Sequence, residues 1–101
     1  MISLKPGVKV AGVQPEIVLA LIVAESVWQP RSLVVTSLRD GSHMPGSKHY
    51  EGKAADLRLP VATDHHALRS ALAAALGTEF DVVLEETHIH VELDPKAPPI
   101  T

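Results

Sequence analysis

The stretch "FDVVLEETHIHVELDP", residues 80 to 95, decides the fold. Within it, FDVVLE and HIHVELD are two short strand-like runs separated by two or three polar residues, the pattern of a β-hairpin. Side chains alternate along the second run, so Ile89, Val91 and Leu93 point one way and His88, His90 and Glu92 the other. That alternation implies a sheet with one apolar face to be covered and a second face that carries imidazoles.

The preceding segment "TDHHALRSALAAALG" (63–77) reads as a helix. Thr63 or Asp64 can cap it, Leu68, Leu72 and Leu76 recur at four-residue spacing, and Gly77 stops it. Further back, "KAADLRL" (53–59), closed by Pro60, and the β-branched "SLVVTSL" (32–38) are strand candidates. Between them "RDGSHMPGSKHYEG" (39–52) has three glycines and a proline and reads as an exposed loop. "QPEIVLALIVAESVW" (14–28) is a second helix, with Pro15 in the first turn, Glu16 complementing the dipole and Pro30 beyond the end. Its apolar residues cover most of the circumference, which points to a buried helix. Residues 1–14, with Pro6, Gly7 and Gly12, read as an irregular lead-in, and "PKAPPIT" (95–101) as a frayed tail. The expected architecture is a single α+β domain over residues 1–101: a small, mostly antiparallel sheet with helices packed on one face and histidines on the other.

Composition narrows the function. A 101-residue chain supports one modest core, here built from Val, Leu, Ile and Ala because Trp28, Tyr50 and Phe80 are the only aromatics. Net charge is −3 and Lys and Arg form no cluster, which argues against a nucleic-acid or membrane-surface partner. With no cysteine, any metal must be held by His and carboxylates. The run "IVLALIVA" (17–24) falls far short of the roughly twenty residues that span a bilayer. Pro15 and Glu16 interrupt the approach to it and no A-x-A-like site follows, so no signal peptide is expected. Synthesis in the cytoplasm with release by other means fits these features.

His49, Asp56 and His90 are the candidate metal ligands. Two neutral imidazoles and one carboxylate would leave zinc a position for water and enough positive charge to activate it. Gly52 lets the backbone fold back between His49 and Asp56, and His90 sits on a strand that can lie beside that of Asp56. His88, two residues from His90, projects from the same face, where it could donate to an oxyanion. Taken alone, an H-x-H on a strand is as readily a solvated pair, Asp56 a strand-edge charge, and His43 a loop residue that could line the site. His65 and His66 belong to the first turn of a helix and read as surface residues.

The full pattern is more specific. Ser47, His49, Gly52, Ala54 and Asp56 match S-x-H-x-x-G-x-A-x-D, and an H-x-H follows on a strand. Together these resemble the D-alanyl-D-alanine carboxypeptidase and hedgehog-type zinc peptidases of the lysostaphin-related group, over residues 36 to 95. "FDVVLEETHIHVELDP" looks especially like small phage-encoded members. The resemblance implies a hedgehog/DD-peptidase-like fold and a zinc peptidase that hydrolyses peptidoglycan stem peptides as a carboxypeptidase or endopeptidase. It also implies His49, Asp56 and His90 as zinc ligands, His88 as transition-state stabiliser, and Ser47 and Arg39 as substrate contacts. An arginine there could fork onto a peptide carboxylate, or simply pair with Asp40. Relatives carry an acid three residues before the last ligand histidine, where this chain has Thr87. Strand parity makes Glu86 the expected base, with Glu85 as the alternative if the turn breaks parity. The competing function is a non-enzymatic zinc-containing binding or structural module.

Overall fold

The computed structural model describes residues 1–95 apart from Ser42 and Met44, so the expected frayed tail lies, but for Pro95, outside the described residues. Five strands and two helices follow in the order β1 (Ile2–Leu4), α1 (Pro15–Trp28), β2 (Leu33–Ser37), β3 (Ala54–Arg58), α2 (His65–Leu76), β4 (Phe80–Leu84) and β5 (His88–Leu93). They form one mixed sheet of order β1-β2-β3-β5-β4. All neighbours are antiparallel except β1 and β2.

The expected α+β class holds, with one correction at the N-terminus. Ile2–Leu4 is a strand, set parallel to β2 by the pairs Ile2↔Leu33 and Leu4↔Val35. Three residues are too few to show a two-residue period, so only the partner strand reveals it.

Both helices lie on the apolar face of the sheet. Ile17, Leu21, Ala24 and Trp28 of α1 and Leu68 and Leu72 of α2 close over Leu33, Val35, Ala55, Leu57, Ile89, Val91 and Leu93. Each fully buried Leu or Ile there contributes roughly 1.5–3 kcal/mol through area removed from water. The α2 boundaries follow from its caps: the Asp64 carboxylate accepts from the Ala67 amide at 3.0 Å, and Gly77 ends the helix at φ 86°. α1 is not buried all round. Leu19 is 62% exposed, and Val18 and Ile22 are also exposed, because α1 rests on the sheet with only one flank against α2.

β3 is central and differs from the other strands in being buried on both faces. Ala55 and Leu57 enter the core, while Ala54 and Asp56 turn to the opposite face and are buried there too. The cover is the segment 39–53, which is anchored to the sheet by a β-bulge. Val35 pairs with Leu57 but Ser37 pairs with Asp56, so β2 carries one extra residue at Thr36. The bulge shifts parity by one. Val35 and Leu38, three apart, both reach the core, and Ser37 lies across from Asp56.

The covering segment contains a single helical turn. Lys53 N–H donates to the Lys48 carbonyl at 2.9 Å and Gly52 N–H to the His49 carbonyl at 3.1 Å, the paired bonds of a Schellman ending with Gly52 at its left-handed position (φ 72°). Gly52 also abuts the N-terminal segment: its carbonyl accepts from Gln14 N–H at 2.9 Å, and a Cβ on it would collide with the Gly12 carbonyl. Gly52→Ala should therefore cost more than Gly7→Ala, which has the same sign of φ and open space around it. The expected losses in chemical denaturation are about 1–2 kcal/mol at Gly7 and at least about 3 kcal/mol at Gly52, where backbone strain and collision combine. Equal losses at the two positions would show that the close approach is not rigid.

Candidate metal centre

The pattern from Ser47 to Asp56 has a local reason at each position. Ser47 Oγ accepts the His49 amide at 3.2 Å and so opens the helical turn. His49 sits in the middle of that turn with its side chain directed inward, 1% exposed. Gly52 ends the turn, and Ala54 (fully buried) and Asp56 (8% exposed) follow on one face of β3. β5 then brings its histidines alongside, since Asp56 pairs with His90 and Arg58 with His88.

Three imidazoles converge on one carboxylate oxygen. His90 Nδ1 lies 2.8 Å from Asp56 Oδ1, His49 Nε2 3.2 Å and His88 Nε2 3.7 Å. His49, Asp56 and His90 each offer one ligand atom within 4.8 Å of the others, so this group could hold a metal ion. In a tetrahedral site with zinc-like bonds, neighbouring ligand atoms stand about 3.3 Å apart. The separations of 2.8 and 3.2 Å from Asp56 Oδ1 lie near that value. The nitrogens are committed in advance: His49 Nδ1–H donates to the Leu38 carbonyl at 2.6 Å, leaving Nε2 to face Asp56.

Burial on its own would raise the Asp56 pKa, but hydrogen bonds from His49 and His90 and the nearby charge of His49 and His88 outweigh it. They hold its carboxyl well below the usual carboxylate range. His90 moves the other way, pushed up to about 8 chiefly by its hydrogen bond to Asp56, against desolvation and with help from Glu92. The metal-free centre is thus an acid anion held by protonated imidazole.

The site opens into a cavity of about 720 Å³ lined by, among others, Ser47, Lys48, Val83, Glu85, His88 and Glu92. His88 Nδ1 is 3.0 Å from Thr87 Oγ1, which leaves its Nε2 toward Asp56 and the cavity. Glu86 is exposed at the tip of the hairpin and is not among the described residues that line the cavity, whereas Glu85 is. The pairing Leu84↔Ile89 continues one step, with Glu85 N–H donating to the His88 carbonyl at 2.8 Å. Faces are therefore shared across the turn, between Glu85 and His88, and not counted along β5. Arg39 lies apart from the cavity. It is exposed and donates to the Ala11 carbonyl at 3.4 Å and the Tyr50 carbonyl at 2.9 Å, tying the N-terminal segment to the helical turn. It does not use Asp40, which accepts from the Leu38 and Lys9 amides.

Two contacts lie outside the sequence expectation. His43 stacks on His49 with ring centroids 4.0 Å apart, its backbone held by the Tyr50 hydroxyl at 2.7 and 2.8 Å. Glu92 Oε1 lies 2.9 Å from His90 Nε2. The H-x-H-x-E alternation carried the second of these; for the first, the sequence marked His43 only as a loop residue that could line the site, and it does line the cavity.

No family model matches the chain, and no solved structure matches it significantly.

Two measurements check the centre. The wild-type protein should bind one divalent metal per chain by elemental analysis, and His49→Ala or His90→Ala should abolish it; full retention by either variant removes that residue as a ligand. In the metal-free protein, His90's contribution to stability is complete below its ordinary pKa of 6.5 and is lost as pH rises through about 8. The stability gap between wild type and His90→Gln should accordingly shrink by roughly 2 kcal/mol between about pH 6 and about pH 9. Metal affinity should rise over the same interval, because the cation must displace the proton on Nδ1. A gap that stays flat in denaturation across that range would contradict the His90–Asp56 pairing.

Proposed function

We propose that this protein is a zinc-dependent peptidase that hydrolyses peptidoglycan stem peptides, of the carboxypeptidase or endopeptidase type. The observation that carries the reading is the convergence of His49, Asp56 and His90 on one point at the floor of an open cavity, with His88 beside them. Two imidazoles and a carboxylate suit zinc among the common biological cations, and with no cysteine the chain offers no thiolate alternative. The substrate class follows from the resemblance of the Ser47–Asp56 motif and the H-x-H strand to peptidases of that specificity.

Zinc bound here would supply Lewis acidity, activating a water and polarising the scissile carbonyl. The protein's own groups do the rest. His88 takes a hydrogen bond at Nδ1 from the Thr87 hydroxyl and presents Nε2–H to the carbonyl oxygen as negative charge builds there. Glu85, on the same face as His88 and lining the cavity, accepts the water's proton and returns it to the amine as the C–N bond breaks. Ser47 keeps its Oγ on the His49 amide and can offer its own proton to the peptide. Arg39 serves from outside, holding the helical turn that carries His49. Val83, exposed on the cavity wall, gives a substrate side chain an apolar surface.

Thr87, standing where relatives of the motif carry an acid, favours the second reading of a zinc module without hydrolysis. The experiment that separates the two is digestion of purified peptidoglycan by the zinc-loaded protein. Released peptides or amino acids, lost with a chelator and restored by zinc, support the peptidase. Zinc uptake with no cleavage leaves the module. Within the peptidase, Glu85→Gln should lower turnover by at least about a hundredfold and Glu86→Gln hardly at all. His88→Ala should keep its zinc and lose turnover by a similar factor. Loss of zinc in that variant would make His88 a ligand, and an inactive Glu86→Gln beside an active Glu85→Gln would return the base to the turn.

A further inference from the structure

We propose that Glu92 is the positioning residue of the metal centre: its carboxylate holds the Nε2–H of His90 and thereby commits Nδ1 to the cation. The inference rests on the zinc reading above and names what orients its third ligand.

A neutral imidazole has one N–H and one lone pair, and whichever nitrogen carries the proton cannot ligate. His90 turns Nδ1 to Asp56 at 2.8 Å and Nε2 to Glu92 at 2.9 Å, so its two nitrogens face carboxylates on opposite sides. His49 shows the reverse assignment, with Nδ1–H on the Leu38 carbonyl and Nε2 toward the centre. The two histidines would thus ligate through different nitrogens, each having its other N–H held by an oxygen. For His49 that oxygen belongs to the backbone; for His90 it belongs to a side chain that can be changed without moving the strand.

The placement of Glu92 also has a local cost. It pairs with Ala54 on β3 and directly with Asp81 on β4, so two acids face each other across neighbouring strands. Like charges in that arrangement oppose pairing. The His90 imidazole two residues along the same face gives Glu92 a hydrogen bond. As an orienting carboxylate it fixes the ring, raises the basicity of the coordinating nitrogen and adds negative charge next to the cation.

The test has two independent readouts on protein loaded with zinc alone. Long-range proton–nitrogen correlation spectra of ¹⁵N-histidine-labelled protein should show His90 protonated at Nε2 and metallated at Nδ1, with His49 metallated at Nε2. In competition with a chelator, Glu92→Ala should weaken zinc binding about 10- to 100-fold, the range for loss of a partner that orients a ligand. Glu92→Gln, which keeps an acceptor oxygen, should recover most of that loss and retain the His90 tautomer. Metallation of wild-type His90 at Nε2, or wild-type zinc affinity in Glu92→Ala, would overturn the proposal. A wild-type protein that takes up no zinc would instead overturn the centre, and this role with it. Should Glu92→Ala fail to fold, the wild-type tautomer and the affinity of Glu92→Gln still decide.

Discussion

One carboxylate oxygen, Asp56 Oδ1, constrains the rest of this molecule. It sits on the central strand, covered from above by the 39–53 segment, where an unpaired anion would be costly. Imidazoles from two separate pieces of chain compensate it: His49 from the helical turn and His88 and His90 from β5. A one-residue slip of β5 against β3 would send both strand histidines into the apolar core and Ile89 and Val91 into the cavity. The buried charge and the core therefore specify the same register, and neither can be satisfied without the other.

The 39–53 segment shows how a long loop becomes a rigid wall. The bulge at Thr36 aims Ser37 across from Asp56, Asp40 turns the chain by accepting the Leu38 and Lys9 amides, and the Schellman ending at Gly52 returns it to β3. Arg39 and the Gly52 carbonyl fasten this wall to the N-terminal segment. These devices are a bulge, a left-handed glycine and hydrogen bonds to backbone groups, some of them made by the Asp40 and Arg39 side chains, and none needs a large apolar side chain. The wall can be polar on its inner surface because its stability does not come from that surface.

The α+β class and the His49–Asp56–His90 group were legible in the sequence for different reasons. Strands β2 to β5 and both helices have periodic apolar patterns or caps, and Asp64 and Gly77 marked the ends of α2 to within a residue or two. β1 escaped because its three residues depend on pairing with β2. His49, Asp56 and His90 could be singled out because spacing within a turn and alternation along a strand are local properties. Arg39 and Glu86 were placed by analogy and by counting along one strand, and both placements depend on non-local geometry. The guanidinium finds two backbone carbonyls that no sequence window joins, and Glu85 lines the cavity where Glu86 does not because parity carries across the β4–β5 pair.

The metal-free centre and a metal-loaded one differ by less rearrangement than their chemistry suggests. In the former, a proton on His90 bridges to Asp56; in the latter, a cation would occupy the point on which the same atoms converge. The nitrogens already face inward, and the separations of 2.8 and 3.2 Å are close to those of a tetrahedral site. A proton and a cation would therefore compete for the same atoms. The apolar face fixes the scaffold, and the bulge and Gly52 tie the centre to it by setting Ser37 across from Asp56 and by ending the turn that carries His49. The polar face is therefore tied to the fold through the register of β3 and β5, with the cavity open beside it.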